Sequence, residues 1–166
     1  MTHNRLAIMM AATTLGVVAV IWPRADAPLL VWNASRSVPV GLYTIIARAP
    51  MRVELAVLQL PEPVRRFADA RGYLPATALL IKPVVAGDGN IVCRHGPIVT
   101  IHGRPVARAR TVDDAGHALP RWSGCRRLDA ARIFVLSAQN GSFDSRYFGP
   151  VDARQIRGTA VPLWTR

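Results

Sequence analysis

The sequence almost lacks lysine. Of its 21 lysine and arginine residues, only Lys82 is a lysine. An ammonium group can lose its proton when a dry pocket lowers its pKa, whereas a guanidinium group effectively cannot. Lys82 lies inside the apolar run Leu79–Val85 and is therefore a candidate general base. The alternative is that a composition rich in alanine, arginine and proline left a single lysine by chance.

Acidic and aromatic residues are also scarce. Only 10 residues are acidic, so the formal net charge is +11, which suits nucleic acid or an anionic membrane surface as a neighbour. Aromatic residues make up 7% of the chain, and they do not form the basic-aromatic stripe of single-strand binders. The pattern disfavours nucleic acid as a partner and favours a membrane surface.

There are only two cysteines, Cys93 and Cys125. In an oxidising compartment such a pair is most simply one disulfide. A metal site or two free thiols are the alternatives. The nearby His95 and His102 do not complete any familiar ligand spacing, so we expect neither a metal nor a cofactor.

One long apolar run is present, close to the N-terminus. Leu6–Trp22 contains 17 residues without a charge, near the lower limit for a helix that crosses a bilayer. Arg5 precedes it, which favours a cytoplasmic N-terminus. We therefore expect residues 1–22 to be a membrane anchor, residues 23–28 a linker and the rest to lie outside the cytoplasm. A cleaved signal peptide is the alternative.

The pattern of residues 29–166 predicts one domain that is mainly β, with antiparallel sheets and a short surface helix. The helix is expected at Pro61–Gly72, which begins with proline and ends with glycine. Segments 111–132 and 140–150 are rich in turn-forming residues and are expected to be loops. No internal repeat or second domain is found. Strands are expected at Leu29–Trp32, Gly41–Ala47, Leu55–Leu60, Leu79–Ala86, Ile91–Arg94, Ile98–His102, Pro105–Ala109, Ile133–Ser137 and Ala160–Trp164.

The segment N-A-S-R-S-V-P-V-G-L-Y, which starts at Asn33, places Ser35 and Ser37 in a turn before a proline. A serine hydroxyl is a poor nucleophile until a base takes its proton. No histidine lies in a setting typical of a Ser-His-Asp site, but a Ser-Lys dyad is a known alternative. Lowering the pKa of Lys82 to near neutrality would take about 5 kcal/mol, and burial acts in that direction. Otherwise the serines only form the turn and the lysine reaches the surface.

A third segment, S-F-D-S-R-Y-F-G-P from Ser142, completes a pattern. Together with the serine turn and the lysine strand, it resembles the signal peptidase family of Ser-Lys proteases. The resemblance covers roughly residues 29–164 and is strongest to the conjugative-transfer branch, the TraF-type pilin maturation peptidases. It implies a signal-peptidase-like fold behind an N-terminal transmembrane helix.

The resemblance also implies roles for individual residues. Ser37 matches the nucleophile and Lys82 the general base. Ser35 matches a hydroxyl that helps to stabilise the oxyanion, and Ser142 a hydroxyl that orients the lysine. Asp144 matches an acidic residue that pairs with Arg146 and is sometimes considered a third catalytic member; we expect a structural ion pair.

The function implied is that of a serine endopeptidase anchored in the bacterial inner membrane with its catalytic domain in the periplasm. Its expected partner is a membrane-inserted pilin-like substrate, which some relatives circularise. The substrate would bind as an extended strand near Val38–Thr44 and Leu79–Lys82. The alternatives are a general signal peptidase and a non-catalytic periplasmic scaffold of a secretion apparatus.

Overall fold

The computed structural model describes residues 30–166. The predicted anchor, residues 1–22, and the predicted linker, residues 23–28, lie outside these described residues. Among residues 30–166, no helix is both long and apolar enough to cross a bilayer. The fold predicted for the rest, antiparallel sheets with a short helix, agrees with the structure.

The larger sheet has seven strands in the order β1-β2-β11-β3-β4-β9-β10, and all neighbours are antiparallel. Its middle strands, β3 and β4, are almost completely buried because their side chains, apolar except for Lys82, pack on both faces of the sheet. The strands are β1 (Leu30–Asn33), β2 (Gly41–Ile46), β3 (Leu55–Leu58), β4 (Leu80–Ala86), β9 (Arg132–Val135), β10 (Val151–Asp152) and β11 (Ile156–Thr165).

The smaller sheet has four antiparallel strands in the order β7-β6-β5-β8. A disulfide between Cys93 and Cys125 joins β5 to β8, where the two residues are directly opposite each other. The sheet packs onto the larger one through a buried cluster around Phe134. Its strands are β5 (Ile91–His95), β6 (Ile98–Ile101), β7 (Arg104–Arg108) and β8 (Gly124–Arg127).

Helices are short. α1 (Glu62–Ala70) follows Pro61 and buries Ala68 against the larger sheet, as its apolar face predicts. α2 (Ser145–Phe148) is a single turn capped by Asp144, whose carboxylate accepts from the Arg146 N–H. A 3-10 turn at Ala153–Gln155 leads into β11.

Three sequence predictions are wrong in detail. Segment 111–132 was expected to be a loop, yet it contains β8, whose four residues are all exposed and carry no apolar alternation. Segment 140–150 was also expected to be a loop, but it contains α2, which is too short to show a helical period. β11 begins at Ile156 instead of Ala160, because a bulge near Gly158 carries the ladder through a stretch that reads as a turn.

Two features of the larger sheet position the serine turn. In a flat sheet, β2 and β9 would lie about 19 Å apart, which is four strand spacings. The Ser137 hydroxyl beyond β9 nevertheless donates to the Ser37 carbonyl at 2.6 Å, so the segments before β2 and after β9 meet across the sheet. At the start of β2, a Cβ on Gly41 would lie 2.0 Å from the Trp164 carbonyl oxygen, and φ there is +156°. Only glycine allows this close approach of β2 to β11.

Candidate active site

The turn that carries Ser37 is organised by the side chain of Asn33, at the end of β1. Its amide nitrogen donates to the carbonyls of Ser35, Val38 and Pro39 at 2.7, 3.1 and 3.0 Å. These three acceptors fix the orientation of the amide. The amide oxygen therefore faces Ser35, whose N–H and hydroxyl donate to it at 3.2 and 3.0 Å.

The hydroxyls of Ser35 and Ser37 lie 2.8 Å apart. The single hydroxyl hydrogen of Ser35 already goes to Asn33, so Ser37 is the donor in this pair. The Ser37 proton consequently points towards Ser35. A rotation of the Ser37 hydroxyl is needed before another group can take that proton.

Lys82 lies on β4 and is only 3% exposed. Its ammonium group donates to the Ser142 hydroxyl at 2.8 Å. Burial lowers the pKa of Lys82 from 10.5 to about 8; the Asp144 carboxylate acts against this, and the Arg146 charge adds to it. The surroundings of this amine therefore bring its neutral form within reach near physiological pH.

The serine turn and the lysine meet at one cavity. This serine cavity has a volume of about 600 Å³, and Ser35, Ser37, Lys82 and Ser142 all line it. Within residues 30–166, Ser37 and Lys82 are not hydrogen-bonded to each other: the first is held by Ser35 and the second by Ser142. Rotation of the Ser37 hydroxyl away from Ser35 is therefore the step that the arrangement requires.

Asp144 and Arg146 form a buried, bidentate ion pair. The Arg146 Nε and Nη2 atoms donate to the Asp144 carboxylate at 2.8 and 3.0 Å. Both side chains are buried, but neither belongs to the residues found along the serine cavity. Asp144 acts on Lys82 through its charge.

Ser137 links this ion pair to the serine turn. Its N–H donates to Asp144 at 3.0 Å, its carbonyl accepts from Arg146 at 2.6 Å and its hydroxyl donates to the Ser37 carbonyl at 2.6 Å. Sequence reasoning missed this residue. The only signal was its position at the end of an apolar run, which does not reveal a partner 100 residues away.

Phe143 anchors the segment that presents Ser142. It lies against Phe67 of α1, and against Tyr73, Tyr147 and Phe148, with ring centroids 5.4 to 6.0 Å apart. Aromatic pairs at these distances add to the stability from buried area. The adjacent Ser142 hydroxyl is thereby held where Lys82 can reach it.

The far rim of the serine cavity was also missed by the sequence analysis. Asp113 accepts a short hydrogen bond from the Tyr73 hydroxyl and others from the N–H groups of Ala115 and His117. These bonds, led by that from Tyr73, lower the pKa of Asp113 to about 2. Burial, followed by the bond to Asp113, raises the pKa of Tyr73 to about 12. Asp113 thus fixes the loop that closes this side of the cavity.

The disulfide bears on the metal question. Cys93, Cys125 and His95 lie close together, with the His95 ring nitrogen 3.8 Å from the Cys125 sulfur. Both sulfurs are engaged in the disulfide, so they cannot supply the thiolates that zinc would need. This cluster therefore does not form a metal centre in the oxidised protein.

Several proteins of known name are similar in sequence to this chain. The chain is similar to the plasmid transfer protein TraF of Escherichia coli, with 32% identity over 145 residues, which are 80% of this chain and 81% of the relative. It is also similar to the probable conjugal transfer protein TraF of Sinorhizobium fredii, with 34% identity over 144 residues, 80% of this chain and 76% of the relative. The conjugal transfer protein TraF of Agrobacterium fabrum is 34% identical over 145 residues, 80% of this chain and 81% of the relative.

Among solved structures, a signal peptidase I from Enterococcus faecalis V583 aligns with 69% of this chain and 98% of its own, at 18% identity and a TM-score of 0.38. The family described as signal peptidase, peptidase S26, matches residues 3–164, almost the entire sequence. The chain therefore belongs to the peptidase S26 signal peptidase family.

Proposed function

We propose that this protein is a serine endopeptidase that processes a membrane-inserted pilin precursor for conjugative transfer, with Ser37 as nucleophile and Lys82 as general base. The observation that carries the proposal is that a buried lysine with a pKa of about 8 shares one cavity with a half-exposed serine hydroxyl. The family and the conjugal transfer names of the relatives support the same activity.

The proposed reaction uses the groups along the serine cavity. Neutral Lys82 takes the Ser37 proton as the serine oxygen attacks the scissile carbonyl carbon. The peptide C–N bond then breaks, the amine leaves with the proton carried by Lys82, and an acyl-enzyme remains on Ser37. Water or the amino terminus of the substrate resolves this ester. The Ser35 hydroxyl would stabilise the oxyanion once it turns away from Asn33, to which it donates in this structure.

The substrate is expected to pair with one edge of β4. At Leu80–Lys82, β4 is paired with β3 on one side, whereas β9 pairs only with Val84 and Ala86. This leaves an edge beside the serine cavity that an extended peptide can join. The other expected edge is partly wrong: β2 is paired with both β1 and β11 from Gly41 onwards, so only residues 38–40 of Val38–Thr44 can contribute.

The proposal includes a location. The catalytic domain would lie in the periplasm and residues 1–22 would hold it at the inner membrane, next to its substrate. Labelling of Cys93 and Cys125 in intact and permeabilised cells checks this: only a domain in an oxidising compartment keeps the disulfide and resists alkylation without reductant.

The decisive test is processing of a co-expressed candidate pilin. Ser37→Ala and Lys82→Met are each expected to lower processing by at least about 1000-fold, because neither member of a catalytic unit works alone. Ser123→Ala is the matched control, since Ser123 is an exposed serine outside the serine cavity. Normal processing by both active-site variants would refute the dyad.

The pH dependence tests the role of Lys82. The rate of acyl-enzyme formation should rise about tenfold per pH unit below about 8 and level off above it, because only neutral Lys82 can accept a proton.

Two product analyses separate related functions. The intact mass of the mature pilin distinguishes hydrolysis from ring closure, since a ring contains one water fewer. Cleavage of many unrelated secreted precursors would indicate a general signal peptidase instead.

A further inference from the structure

A second cavity, of about 610 Å³, lies beside the serine cavity and has a very different lining. Four of its ten lining residues are arginines, and none is acidic. We call it the arginine cavity. The arginines are Arg94, Arg108, Arg110 and Arg121, and the other lining residues are Gly96, Pro97, Ala109, Thr111, Val112 and Asn140.

Arg94, on β5, is a buried cation without a carboxylate partner. It is 1% exposed, and its hydrogen bonds go to the backbone carbonyls of Gly96, Arg146 and Pro120, at 3.1, 2.6 and 3.5 Å. In the stretch from residue 30 to 166, it forms no ion pair. Burial lowers the pKa of Arg94, and the charge of Arg121 acts in the same direction, but a guanidinium remains protonated. An anion in the cavity would compensate this buried charge.

The other three arginines are accessible to a ligand. Arg108 and Arg121 are exposed, and no ion pair engages them within the described chain. Arg110 pairs with Asp114 at 2.7 Å, but the Asp114 side chain is 94% exposed. Solvent weakens such an exposed pair, so an incoming carboxylate can compete for Arg110. The guanidinium fork matches a carboxylate geometrically.

The two cavities are adjacent. Arg110 lines both, and Asn140 lines the arginine cavity while its neighbours Gln139 and Gly141 line the serine cavity. The arginine cavity is therefore the next site that an extended polypeptide bound at Ser37 would meet on this side. Exposed tryptophans are typical of surfaces at a membrane interface, and Trp32 and Trp164 lie on β1 and β11 of the larger sheet. The arginine cavity is lined mainly by β5, β7 and the loop after β7, which do not carry these tryptophans. Its position therefore favours a peptide over a lipid headgroup.

From this arrangement we infer that the arginine cavity binds an acidic side chain of the polypeptide substrate, a few residues from the bond that is cut. The inference rests on the proposed function and adds to it a substrate feature, a glutamate or aspartate at a fixed distance from the cleaved bond. Arg108 and Arg121 would contact the carboxylate, and Arg94 would supply buried positive charge behind them.

A binding experiment tests the cavity without requiring cleavage. The full chain carrying Ser37→Ala, in detergent, is titrated into fluorescein-labelled hexaglutamate and hexaglutamine, and anisotropy is measured. Hexaglutamate should bind at least about tenfold more tightly, as expected for charge-assisted hydrogen bonds. Arg108→Gln with Arg121→Gln should remove most of that difference. The control is Arg126→Gln with Arg127→Gln on the exposed strand β8, which loses the same charge.

If Arg126→Gln with Arg127→Gln reduced the preference for hexaglutamate as much as Arg108→Gln with Arg121→Gln, only the overall charge of the surface would matter, and the inference would be overturned. Stronger competition by phosphatidylglycerol vesicles than by soluble polyglutamate would also overturn it, in favour of a lipid site.

A cleavage experiment separates this inference from the proposed function. The wild-type chain is incubated with a peptide library randomised around a small residue, and the cut products are sequenced. We expect enrichment of glutamate or aspartate at one fixed position. Cleavage without this preference would refute the acidic side chain while the proposed function stands. Absence of any cleavage would refute the proposed function, and with it the assignment of the bound carboxylate to a substrate.

Discussion

Ser37 and Lys82 share a cavity but are held in opposite ways. The Ser37 turn is polar and partly exposed, and side-chain hydrogen bonds from Asn33 and Ser137 hold it in place. Lys82 lies on a strand in the middle of a sheet, and apolar packing holds it. The comparison separates two environments: the turn keeps a hydroxyl partly exposed, while burial on the strand lowers the pKa of the amine. In the proposed mechanism, the first would meet the substrate and the second would accept the proton.

The first prediction concerns the buried Asp144–Arg146 ion pair, which supports the serine turn through Ser137 without contacting it. Asp144→Asn should lower the free energy of unfolding by about 3–5 kcal/mol, because Arg146 would remain buried without a counter-ion. Urea denaturation followed by tryptophan fluorescence measures this. Asp152→Asn is the matched control, since solvent screens the exposed Asp152–Arg154 pair and its loss should hardly change the free energy of unfolding. Equal effects of the two variants would mean that the buried pair has no special structural role.

The second prediction concerns the cost of keeping the lysine dry. At about pH 6, Lys82 is protonated in both folded and unfolded chains, and burying it costs about 3 kcal/mol. Lys82→Met removes this cost and forfeits roughly 1 kcal/mol of hydrogen bonding to Ser142, so the variant should be about 2 kcal/mol more stable.

The pH dependence has a definite sign. Between about pH 8 and 10.5 the unfolded chain binds more protons at Lys82 than the folded chain does, so wild-type stability rises relative to Lys82→Met. The difference between the two denaturation curves isolates this group, because all other groups titrate in both proteins. An advantage of the variant that stays constant from about pH 6 to 10 would contradict a lowered pKa of Lys82.

The smallest expected effect lies at the link between the two regions. Ser137→Ala removes the hydrogen bond to the Ser37 carbonyl and should lower kcat about 3- to 10-fold with KM unchanged, as one neutral hydrogen bond contributes about 1 kcal/mol. Ser137→Thr keeps the hydroxyl and should restore most of the rate, which a purely structural defect would not explain. A rise in KM with kcat unchanged would instead indicate that Ser137 contributes to substrate binding.

Much of the fold was predictable because its strands carry their own signals. β4 and β9 are mainly apolar and contain β-branched isoleucine and valine, and α1 has a proline at its start and one apolar face. β8 and α2 had no such signal. β8 exists because the β5 ladder and the disulfide hold an exposed segment in place, and α2 because Asp144 caps a single turn. Neither cause is local in sequence.

The site likewise has a part with local sequence signals and a part without them. Ser37, Lys82 and Ser142 could be identified from the sequence, because each lies in a contiguous motif. Ser137 and the loop around Asp113 could not be predicted, since their roles come from contacts with residues 100 and 40 positions away in the chain.

By itself, the sequence determined which groups are available: one amine that can lose its proton, two serines before a proline, and a chain belonging to the signal peptidase, peptidase S26, family. Tertiary structure alone decided that the amine is dry, that the Ser37 hydroxyl donates its hydrogen bond to Ser35, and that four arginines line a second cavity. The physical reason is that residue type sets what a group can do, whereas burial and the direction of hydrogen bonds depend on segments that are distant in the chain.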